Sequence, residues 1–321
     1  MDNKVYDTLV VVAAKDFPRL SALYMRLIEK LESQKLIFVG SKEVGELLAA
    51  SNIAGLAEWQ DEDEILPFSE VHSLMSRRLS PLLQGRELPR GVTGWYYQQF
   101  LKMQYAKSCE NEFYMVWDGD TVPCRDIHMF KEGSGEPFLD LKTEYKAEYF
   151  ETMGRLIPGL EKFIAKSFIS EHMLIKCEYM KELTEAIEAN GEIAGDAFWE
   201  KILNAIPVDK LQEAVFSEFE TYGSFVALRH STAYRLREWH SFRLGGEFFD
   251  PLTIEEKDFV WLARDFDAIS FEKGHSVRED HKNLFDNPYY QGKLSPRQML
   301  EAVQPEFKGG YTEVWDKSEI K

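Results

Sequence analysis

The first fifty residues alternate between short apolar runs and helical patterns, and this alternation constrains the fold most strongly. The run "VYDTLVVVAA" (residues 5–14) is rich in β-branched residues, which is typical of a strand buried in a parallel sheet. Apolar side chains then recur at helical spacing over residues 20–31, and "KLIFVG" (35–40) with "SKEVGELLAAS" (41–51) repeats the strand and helix. This order predicts an α/β fold with a right-handed, largely parallel sheet.

The remainder of the chain continues in the same manner, without an internal repeat or a clear linker. Residues 57–69 are acidic and irregular. Further strands are predicted at residues 112–117, 136–141, 223–229 and 267–271, and further helices at residues 70–84, 95–108, 176–190 and 196–205. We therefore predict one α/β domain with a long helical insertion or appendage.

The charge of the chain limits its partners. It has 38 basic and 55 acidic residues, which give a net charge of −17. A surface this acidic repels phosphate backbones and anionic lipid, so we expect no nucleic acid partner. A phosphate-bearing ligand in a local pocket is still compatible with this charge.

The sequence also indicates the compartment. No apolar run reaches the length of about 18 residues that a membrane-spanning helix needs, and the first residues do not follow a signal-peptide pattern. Cys109, Cys124 and Cys177 are widely spaced and form no CxxC pair, so we interpret them as free thiols in a reducing compartment. We expect a cytoplasmic protein, either free or peripheral at the inner face of the membrane.

The stretch "YMVWDGDTVP" (114–123) ends an apolar run in two carboxylates, Asp118 and Asp120, separated by Gly119. Carboxylates at the carboxyl end of a central strand lie where open α/β sheets bind ligands. Two hard oxygen ligands with open positions suit Mg²⁺ or Mn²⁺ bridging a diphosphate. The alternative is a surface turn in which Asp118 caps the next helix and Asp120 is solvated.

At these residues the chain resembles GT-A-fold, nucleotide-sugar-dependent glycosyltransferases. The segments "GWYYQQFLKM", "WDGDTVP", "SEHMLI" and "SEFETYG" resemble a bacterial group of such enzymes associated with surface polysaccharide synthesis, over residues 5–280. The resemblance implies a GT-A-like (Rossmann-like) mixed sheet flanked by helices, with helical insertions, in a catalytic domain at residues 1–280. It further implies Mn²⁺ or Mg²⁺ at Asp118 and Asp120, a nucleotide-sugar donor such as a UDP-sugar, and a glycan or lipid-linked glycan acceptor.

Two other functions compete with this interpretation. "DGDT" also fits the DxDxT signature of HAD-type phosphohydrolases, in which the first aspartate is a nucleophile and the second a general acid. That motif normally ends the first strand of its domain, and the class needs a later acidic pair after another strand. The nearest match, "GDAFWE" (195–200), follows "EANGEIA", which is not a strand pattern. The second competitor is a binding protein that has lost activity.

Two further segments are candidates for binding the donor. In "AAKDFPRL", Ala13 offers close backbone approach, Lys15 can meet phosphate, and Asp16 can accept hydrogen bonds from base or ribose, although Asp16 could simply cap the next helix. In "GWYYQQFLKM", Gln98 and Lys102 are four residues apart and neighbours on a helix face away from the aromatic core. We expect Lys102 to be exposed there and to contact the diphosphate; the alternative is a solvated polar face.

An inverting transferase needs a carboxylate that accepts the proton of the acceptor hydroxyl. The candidates are Glu171 in "FISEHMLI" and Glu218 and Glu220 in "FSEFETYG", each of which could instead be a helix-end charge. Glu218 is preferred because it follows a serine at a predicted local turn that leads into the strand at residues 223–229.

The resemblance also suggests a late histidine as the third metal ligand. His275, after a predicted strand and a glycine, is the first choice, and His230 is the second. The segment at residues 281–321 mixes proline, aromatic and charged residues. We expect it to pack as an arm on the domain or on a neighbouring subunit. The second arrangement would make the protein a homo-oligomer.

Overall fold

The computed structural model describes residues 5–162, 164–278, 284–285 and 287–303. Its strands, in chain order, are β1 (Tyr6–Val11), β2 (Leu36–Gly40), β3 (Glu58–Asp61), β4 (Phe113–Trp117), β5 (Thr121–Pro123), β6 (Phe138–Leu141), β7 (His172–Lys176), β8 (Arg235–Glu238), β9 (Ser241–Phe242) and β10 (Ala268–Ser270).

The helices alternate with these strands in the first part of the chain and dominate the middle. They are, in chain order, α1 (Phe17–Leu20), α2 (Tyr24–Lys30), α3 (Lys42–Ala49), α4 (Glu62–Ile65), α5 (Phe68–Leu83), α6 (Arg90–Gln104), α7 (Ala147–Leu156), α8 (Cys177–Glu188), α9 (Phe198–Ala205), α10 (Glu218–Arg229), α11 (Gly245–Phe248), α12 (Glu256–Leu262), α13 (Pro288–Gln291) and α14 (Pro296–Val303).

A five-stranded mixed sheet, in the order β3-β2-β1-β4-β7, is the centre of the fold. Strands β3, β2, β1 and β4 are parallel to their neighbours, and β7 is antiparallel to β4. Because β1 and β4 are adjacent and parallel, the loops that follow them lie at the same edge of the sheet. The predicted fold class, a mixed sheet flanked by helices with helical insertions, is confirmed.

Both faces of the sheet are covered, as the continuous apolar runs of β1 and β4 require. Side chains alternate between two apolar clusters: Leu9 and Val116 face one cluster, while Val10 and Met115 face the other. The first cluster is formed with helices α5–α10, and the second with α1–α3, α11, α12 and α14.

Two smaller sheets bring distant segments to the end of β4. In the order β5-β10-β9, strand β10 is antiparallel to β5, with Ser270 opposite Thr121. The N–H of Phe271 then donates to the carbonyl of Asp120 at 2.7 Å. The second small sheet pairs β6 with β8 in parallel. The residues after β10 therefore lie against the turn that carries the aspartates.

The strand predicted at residues 223–229 is wrong, because this segment forms the second half of helix α10. Ser217 is the N-cap, and its hydroxyl accepts a hydrogen bond from the N–H of Glu220 at 3.3 Å. Gly223 lets the helix lie directly on Phe168, since a Cβ at this position would stand 2.2 Å from the ring. The helix is buried on all sides along its first nine residues, so no polar face marks its helical period.

Residues 57–69 are also more regular than expected, since they contain β3 and α4. Most of the predicted arm at residues 281–321 lies outside the described residues. In its described part, Phe285 packs on Phe248 with ring centroids 4.5 Å apart, and the indole N–H of Trp261 donates to the carbonyl of Leu294 at 2.9 Å. The domain boundary at residue 280 stays a prediction. No helix in the described ranges is long and apolar enough to cross a membrane.

Candidate functional site

The two aspartates form a fixed turn directly after β4. The N–H of Asp118 donates to the carbonyl of Glu171 at 2.8 Å, and its own carbonyl accepts from the N–H of Thr121 at 3.0 Å. Between the aspartates, a Cβ on Gly119 would stand 3.2 Å from Val10 Cγ1, so glycine allows the turn to lie closely on the end of β1. The turn and the loop after β1 are therefore contiguous.

The loop after β1 carries the three residues predicted to contact a nucleotide. Ala13 and Lys15 are exposed, and Asp16 is half-buried. Asp16 occupies the N-cap position of α1 but makes no side-chain capping hydrogen bond, so capping alone does not explain it. Its carboxylate faces Lys273 at 3.8 Å. The structure thus brings this loop and the segment after β10 to the same edge.

Asp120 lies in a concentration of negative charge. Burial, followed by the charges of Asp118 and Glu272, raises the pKa of Asp120 to about 7, although Arg19 and Arg243 act in the opposite direction. A carboxylate with a raised pKa beside other carboxylates is a place where a cation would be stabilised.

Lys102 is buried, contrary to the expectation that it is exposed. Its ammonium donates to Asp118 Oδ1 at 2.7 Å and to Glu218 Oε1 at 2.8 Å, and only 3% of the residue is exposed. Burial alone would lower the pKa of Lys102, but the charges of Asp118 and Glu218 outweigh it and raise the pKa. The prediction of an exposed lysine was wrong because the second half of α6 is packed on nearly every side.

Gln99, rather than its predicted neighbour Gln98, joins this group. Its side-chain Oε1 accepts from the N–H of Glu218 at 3.1 Å, and the residue is buried, whereas Gln98 is half-buried. Gln99 is three residues before Lys102, so the two share a helix face. That spacing was a signal in the sequence from which Gln99 could have been identified.

Glu171 is held by a group of polar and charged side chains next to the one that contains Asp118, Lys102 and Glu218. Its carboxylate accepts from Lys142 Nζ at 2.5 Å, Ser241 Oγ at 2.8 Å and Trp239 Nε1 at 3.2 Å. Burial alone would raise the pKa of Glu171, but the charges of Lys142 and Arg243 outweigh it and lower the pKa. The backbone is left-handed here, with φ of +59°, an unfavourable conformation for a residue with a side chain.

Arg243 connects the side chains around Glu171 to those around Asp120. Its guanidinium binds Glu272 Oε1 and Glu144 Oε2, each at 2.7 Å, and stands 3.7 Å from Glu171 Oε1. Sequence reasoning missed Lys142, Arg243 and Glu272 because they come from separate parts of the chain and match no local motif.

Glu220 faces away from these groups. It lies two residues after Glu218 on α10, which turns its side chain to another face of the helix. One carboxylate oxygen accepts hydrogen bonds from the hydroxyl of Ser167 and, at 3.1 Å, from the N–H of Phe168. Burial raises the pKa of Glu220. The structure does not bring Glu220 together with Asp118 and Lys102.

His172 is buried opposite Trp117, the last residue of β4. Its ring lies 4.1 Å from the ring of Trp239 and 5.2 Å from that of Trp117, and Nε2 is 2.8 Å from Asp140 Oδ2. Arg237 contacts both oxygens of Asp140, at 2.6 and 2.7 Å. Burial alone would raise the pKa of Asp140, but the hydrogen bonds from Arg237 and His172 outweigh it and hold the pKa below its ordinary value.

The Asp140→Asn variant is expected to lose about 2–3 kcal/mol of unfolding free energy at pH 7, because it removes the charge that Arg237 and His172 contact. A carboxylate with a lowered pKa contributes stability above its unfolded pKa of about 3.9, and this is lost as the pH falls through the folded value. The difference from wild type should therefore shrink below about pH 4. Urea denaturation at pH 7 and pH 3 measures it.

Asp126→Asn is the matched control for this variant. Asp126 is paired with Lys30 at 3.1 Å, but its side chain is 62% exposed, so its replacement should change the free energy by less than about 1 kcal/mol. A loss at Asp140→Asn that is equally small, or that is the same at both pH values, would contradict the buried charge pair.

The two candidate histidines lie in different settings. His275 follows the segment that contacts Asp120, and its Nδ1 is buried with no hydrogen-bond partner among the described residues. His230 ends α10, where Nε2 is 2.6 Å from Glu182 Oε2 and the ring stacks on Tyr179 at 3.9 Å. His230 is thus engaged in packing, whereas Nδ1 of His275 makes no hydrogen bond within the described part of the chain.

The donor atoms at this edge suit a hard divalent cation. Asp118 and Asp120 supply carboxylates, and the surroundings of Asp120 carry negative charge. Within the described ranges, however, no three His, Cys, Asp or Glu side chains are grouped closely enough to hold a metal ion by themselves. A bound metal would therefore be completed by ligand oxygens and water, as is usual for Mg²⁺.

The geometry disfavours the phosphohydrolase alternative. Asp118 follows β4, the fourth strand rather than the first among the described residues. The "GDAFWE" segment leads into helix α9, whose residues Phe198, Ile202 and Leu203 pack in the helical layer. The later strand-terminal acidic pair that this class needs is therefore not provided by "GDAFWE".

The fold is a mixed α/β sheet with a cluster of charged side chains at the edge where β1, β4 and β7 meet. The chain belongs to the family described as "Family of unknown function (DUF6492)", whose model matches residues 11–308. A search of the curated proteins finds no match.

Three solved structures resemble the fold at low similarity. Mouse xyloside xylosyltransferase 1, in its apo form, has a TM-score of 0.44 at 11% identity, over 85% of this chain and 99% of that one. The bifunctional glycosyltransferase WbbM also has a TM-score of 0.44 at 11% identity, over 94% of this chain but only 52% of its own. The galactosyltransferase LgtC, in complex with donor and acceptor sugar analogues, has a TM-score of 0.41 at 12% identity, over 95% and 99% of the two chains.

Proposed function

We propose that this protein transfers a sugar from a nucleoside-diphosphate donor to a glycan acceptor, with Mn²⁺ or Mg²⁺ at Asp118 and Asp120. One observation carries the proposal: the two aspartates turn out of the central strand β4 directly onto the exposed loop after β1. Open α/β sheets bind nucleotides at this edge, which supports a role for the two carboxylates beside the phosphates.

The turn after β4 and the loop after β1 would bind different parts of the donor. Asp118 and Asp120 would hold the metal, which when bound neutralises charge on the departing diphosphate. Lys15 is exposed and can meet phosphate, Asp16 can accept from ribose or base, and Ala13 leaves the backbone open to close approach. A UDP-sugar is the donor we propose.

Lys102 fixes the orientation of the Asp118 carboxylate. Its ammonium occupies Oδ1, so Oδ2 is the oxygen of Asp118 that it leaves for a ligand. Glu218 also accepts from this ammonium and so keeps the lysine in place. The buried lysine therefore acts here on the aspartate, in place of the direct contact with diphosphate expected from the sequence.

Glu218 remains our candidate for the base of an inverting reaction, under one geometric condition. Its Oε1 is bound to Lys102 and its side chain is 6% exposed, so an acceptor hydroxyl must reach Oε2. Glu171 accepts three hydrogen bonds from buried donors, which suits a residue that supports the turn at Asp118. An acceptor in surface polysaccharide synthesis, reached from the cytoplasm or the inner face of the membrane, completes the proposal.

A donor screen tests the proposed function. Purified protein with Mn²⁺ and a panel of nucleotide sugars is expected to release nucleoside diphosphate from one of them and to transfer the sugar to added glycan, with the new linkage read by NMR. Donor cleavage should cease in EDTA. Hydrolysis of p-nitrophenyl phosphate without any sugar transfer would contradict the proposal in favour of phosphohydrolase chemistry.

A further inference from the structure

Two of the three cysteines are far apart in the sequence but adjacent in the fold. Cys109 lies in the connection between α6 and β4, and Cys177 is the first residue of α8, directly after β7. The antiparallel pairing of β4 and β7 joins the two segments, with the N–H of Cys177 donating to the carbonyl of Glu112 at 3.0 Å. Both thiols point at the carbonyl oxygen of Asn111, Cys177 at 3.1 Å and Cys109 at 3.7 Å.

The two thiols differ in a way that suits a nucleophile and a resolving partner. The proximity of the two thiols lowers the pKa of Cys109 and raises the pKa of Cys177, which burial raises further. Cys109 is half-buried and so can be reached from solvent, whereas Cys177 is buried. The thiolate is the attacking species in disulfide exchange, so Cys109 should react first.

The third cysteine provides an internal comparison. Cys124 is buried beside Arg26 and Asp267, and burial raises the pKa of its thiol. It belongs to the apolar cluster on the opposite face of the sheet from that of Cys177. Neither of the other cysteines is near it in the contacts of the described residues. We expect Cys124 to stay reduced in the folded protein.

We propose that Cys109 and Cys177 form an intramolecular disulfide when the folded protein meets a small disulfide oxidant such as oxidised glutathione. The Cys109 thiolate attacks one sulfur of the oxidant, forming a mixed disulfide and releasing one glutathione thiolate. Cys177 then loses its proton and attacks the Cys109 sulfur, which releases the second glutathione. The two cysteines are oxidised by two electrons and the oxidant is reduced to two thiols, so the exchange balances.

This modification site is independent of the proposed transferase activity. The pair lies at the start of β4, and Asp118 lies beyond its end, so the two sites are at opposite edges of the sheet. In a reducing compartment such a bond would be transient, as disulfides there usually are.

The test is oxidation of the full-length folded protein with oxidised glutathione, followed by alkylation of free thiols, digestion and mass spectrometry of the peptides. We expect the wild type to give a Cys109–Cys177 cross-linked peptide, with Cys124 alkylated and no glutathione retained. Cys177→Ser should accumulate one glutathione on Cys109, because the resolving thiol is missing. Cys109→Ser should leave Cys177 reduced.

Three results would overturn the inference. One is stable glutathione on wild-type Cys109 without the cross-link, and another is a wild type in which all three thiols remain reduced. The third is oxidation of Cys124 at the same rate as Cys109. All three are read on the wild-type chain, so they do not depend on the folding of either serine variant.

Discussion

Replacing Lys102 by methionine is expected to lower the free energy of unfolding by about 3–5 kcal/mol. Methionine preserves most of the apolar stem, but it leaves Asp118 Oδ1 and Glu218 Oε1 without the ammonium that both contact. The Glu218 side chain is 6% exposed, so water cannot replace the lost partner, whereas Asp118 at 31% can be partly solvated. Urea denaturation followed by circular dichroism measures the change.

Two comparison variants make this result specific. Lys107→Met removes a lysine from the turn after the same helix, where it meets Glu188 at 3.3 Å with 43% of its side chain exposed, and should cost less than about 1 kcal/mol. The double variant Lys102→Met with Glu218→Gln should recover part of the stability, because it also removes the unpaired buried charge. A Lys102→Met protein as stable as Lys107→Met would show that the buried ion pair does not form.

The parts of the fold that the sequence predicts are those specified locally. Strands β1, β2 and β4 are apolar runs because both faces of the sheet are covered, and the periodic helices α5, α8 and α9 each have one apolar face. The turn at Asp118 was recognised because carboxylates end a buried strand abruptly.

Periodicity failed where an element is buried on every side. Helix α10 has Glu218, Glu220 and Tyr222 buried together with its apolar residues, so its sequence lacks a polar face and resembles a strand. Lys102 was assigned to an exposed face because a charged residue is expected to be solvated unless its partners are known. Those partners, Asp118 and Glu218, lie in separate segments and meet the lysine only after β4 and α10 pack on α6.

The surroundings of Glu171 could not be predicted for a topological reason. Glu171 precedes β7, which pairs antiparallel with β4 at the end of the sheet. Its partner Lys142 follows β6, and its partner Ser241 is the first residue of β9. Three segments distant in the sequence thus meet at one carboxylate. No local spacing encodes such a contact. In the structure, the left-handed backbone marks Glu171 as an unusual position.

Asp120→Asn is expected to reduce sugar transfer by about three orders of magnitude, since losing a carboxylate of the proposed metal site would remove several kcal/mol of transition-state stabilisation. The same change should leave the protein at least as stable as the wild type above pH 7. Burial and the neighbouring charges raise the pKa of Asp120 to about 7. A carboxyl group with a raised pKa opposes folding once it is ionised, and asparagine removes that charge. The initial rate of nucleoside diphosphate release and the urea midpoint measure the two effects.

Lost activity with retained stability would separate a ligand site from a structural one. The exposed Asp126→Asn variant is again the control and should keep both the rate and the stability of the wild type. A normal transfer rate in Asp120→Asn would remove Asp120 from the proposed site. A large loss of stability would instead assign its carboxylate to the fold.

Calorimetry shows whether a metal at Asp118 and Asp120 binds the diphosphate of the donor. UDP is titrated into the wild type and into Asp120→Asn, each with Mn²⁺ and with EDTA. We expect binding to the wild type in Mn²⁺ and a loss of affinity of at least about 100-fold both in EDTA and in the variant. Equal affinity with Mn²⁺ and with EDTA, unchanged in Asp120→Asn, would contradict a metal-bound diphosphate at these aspartates.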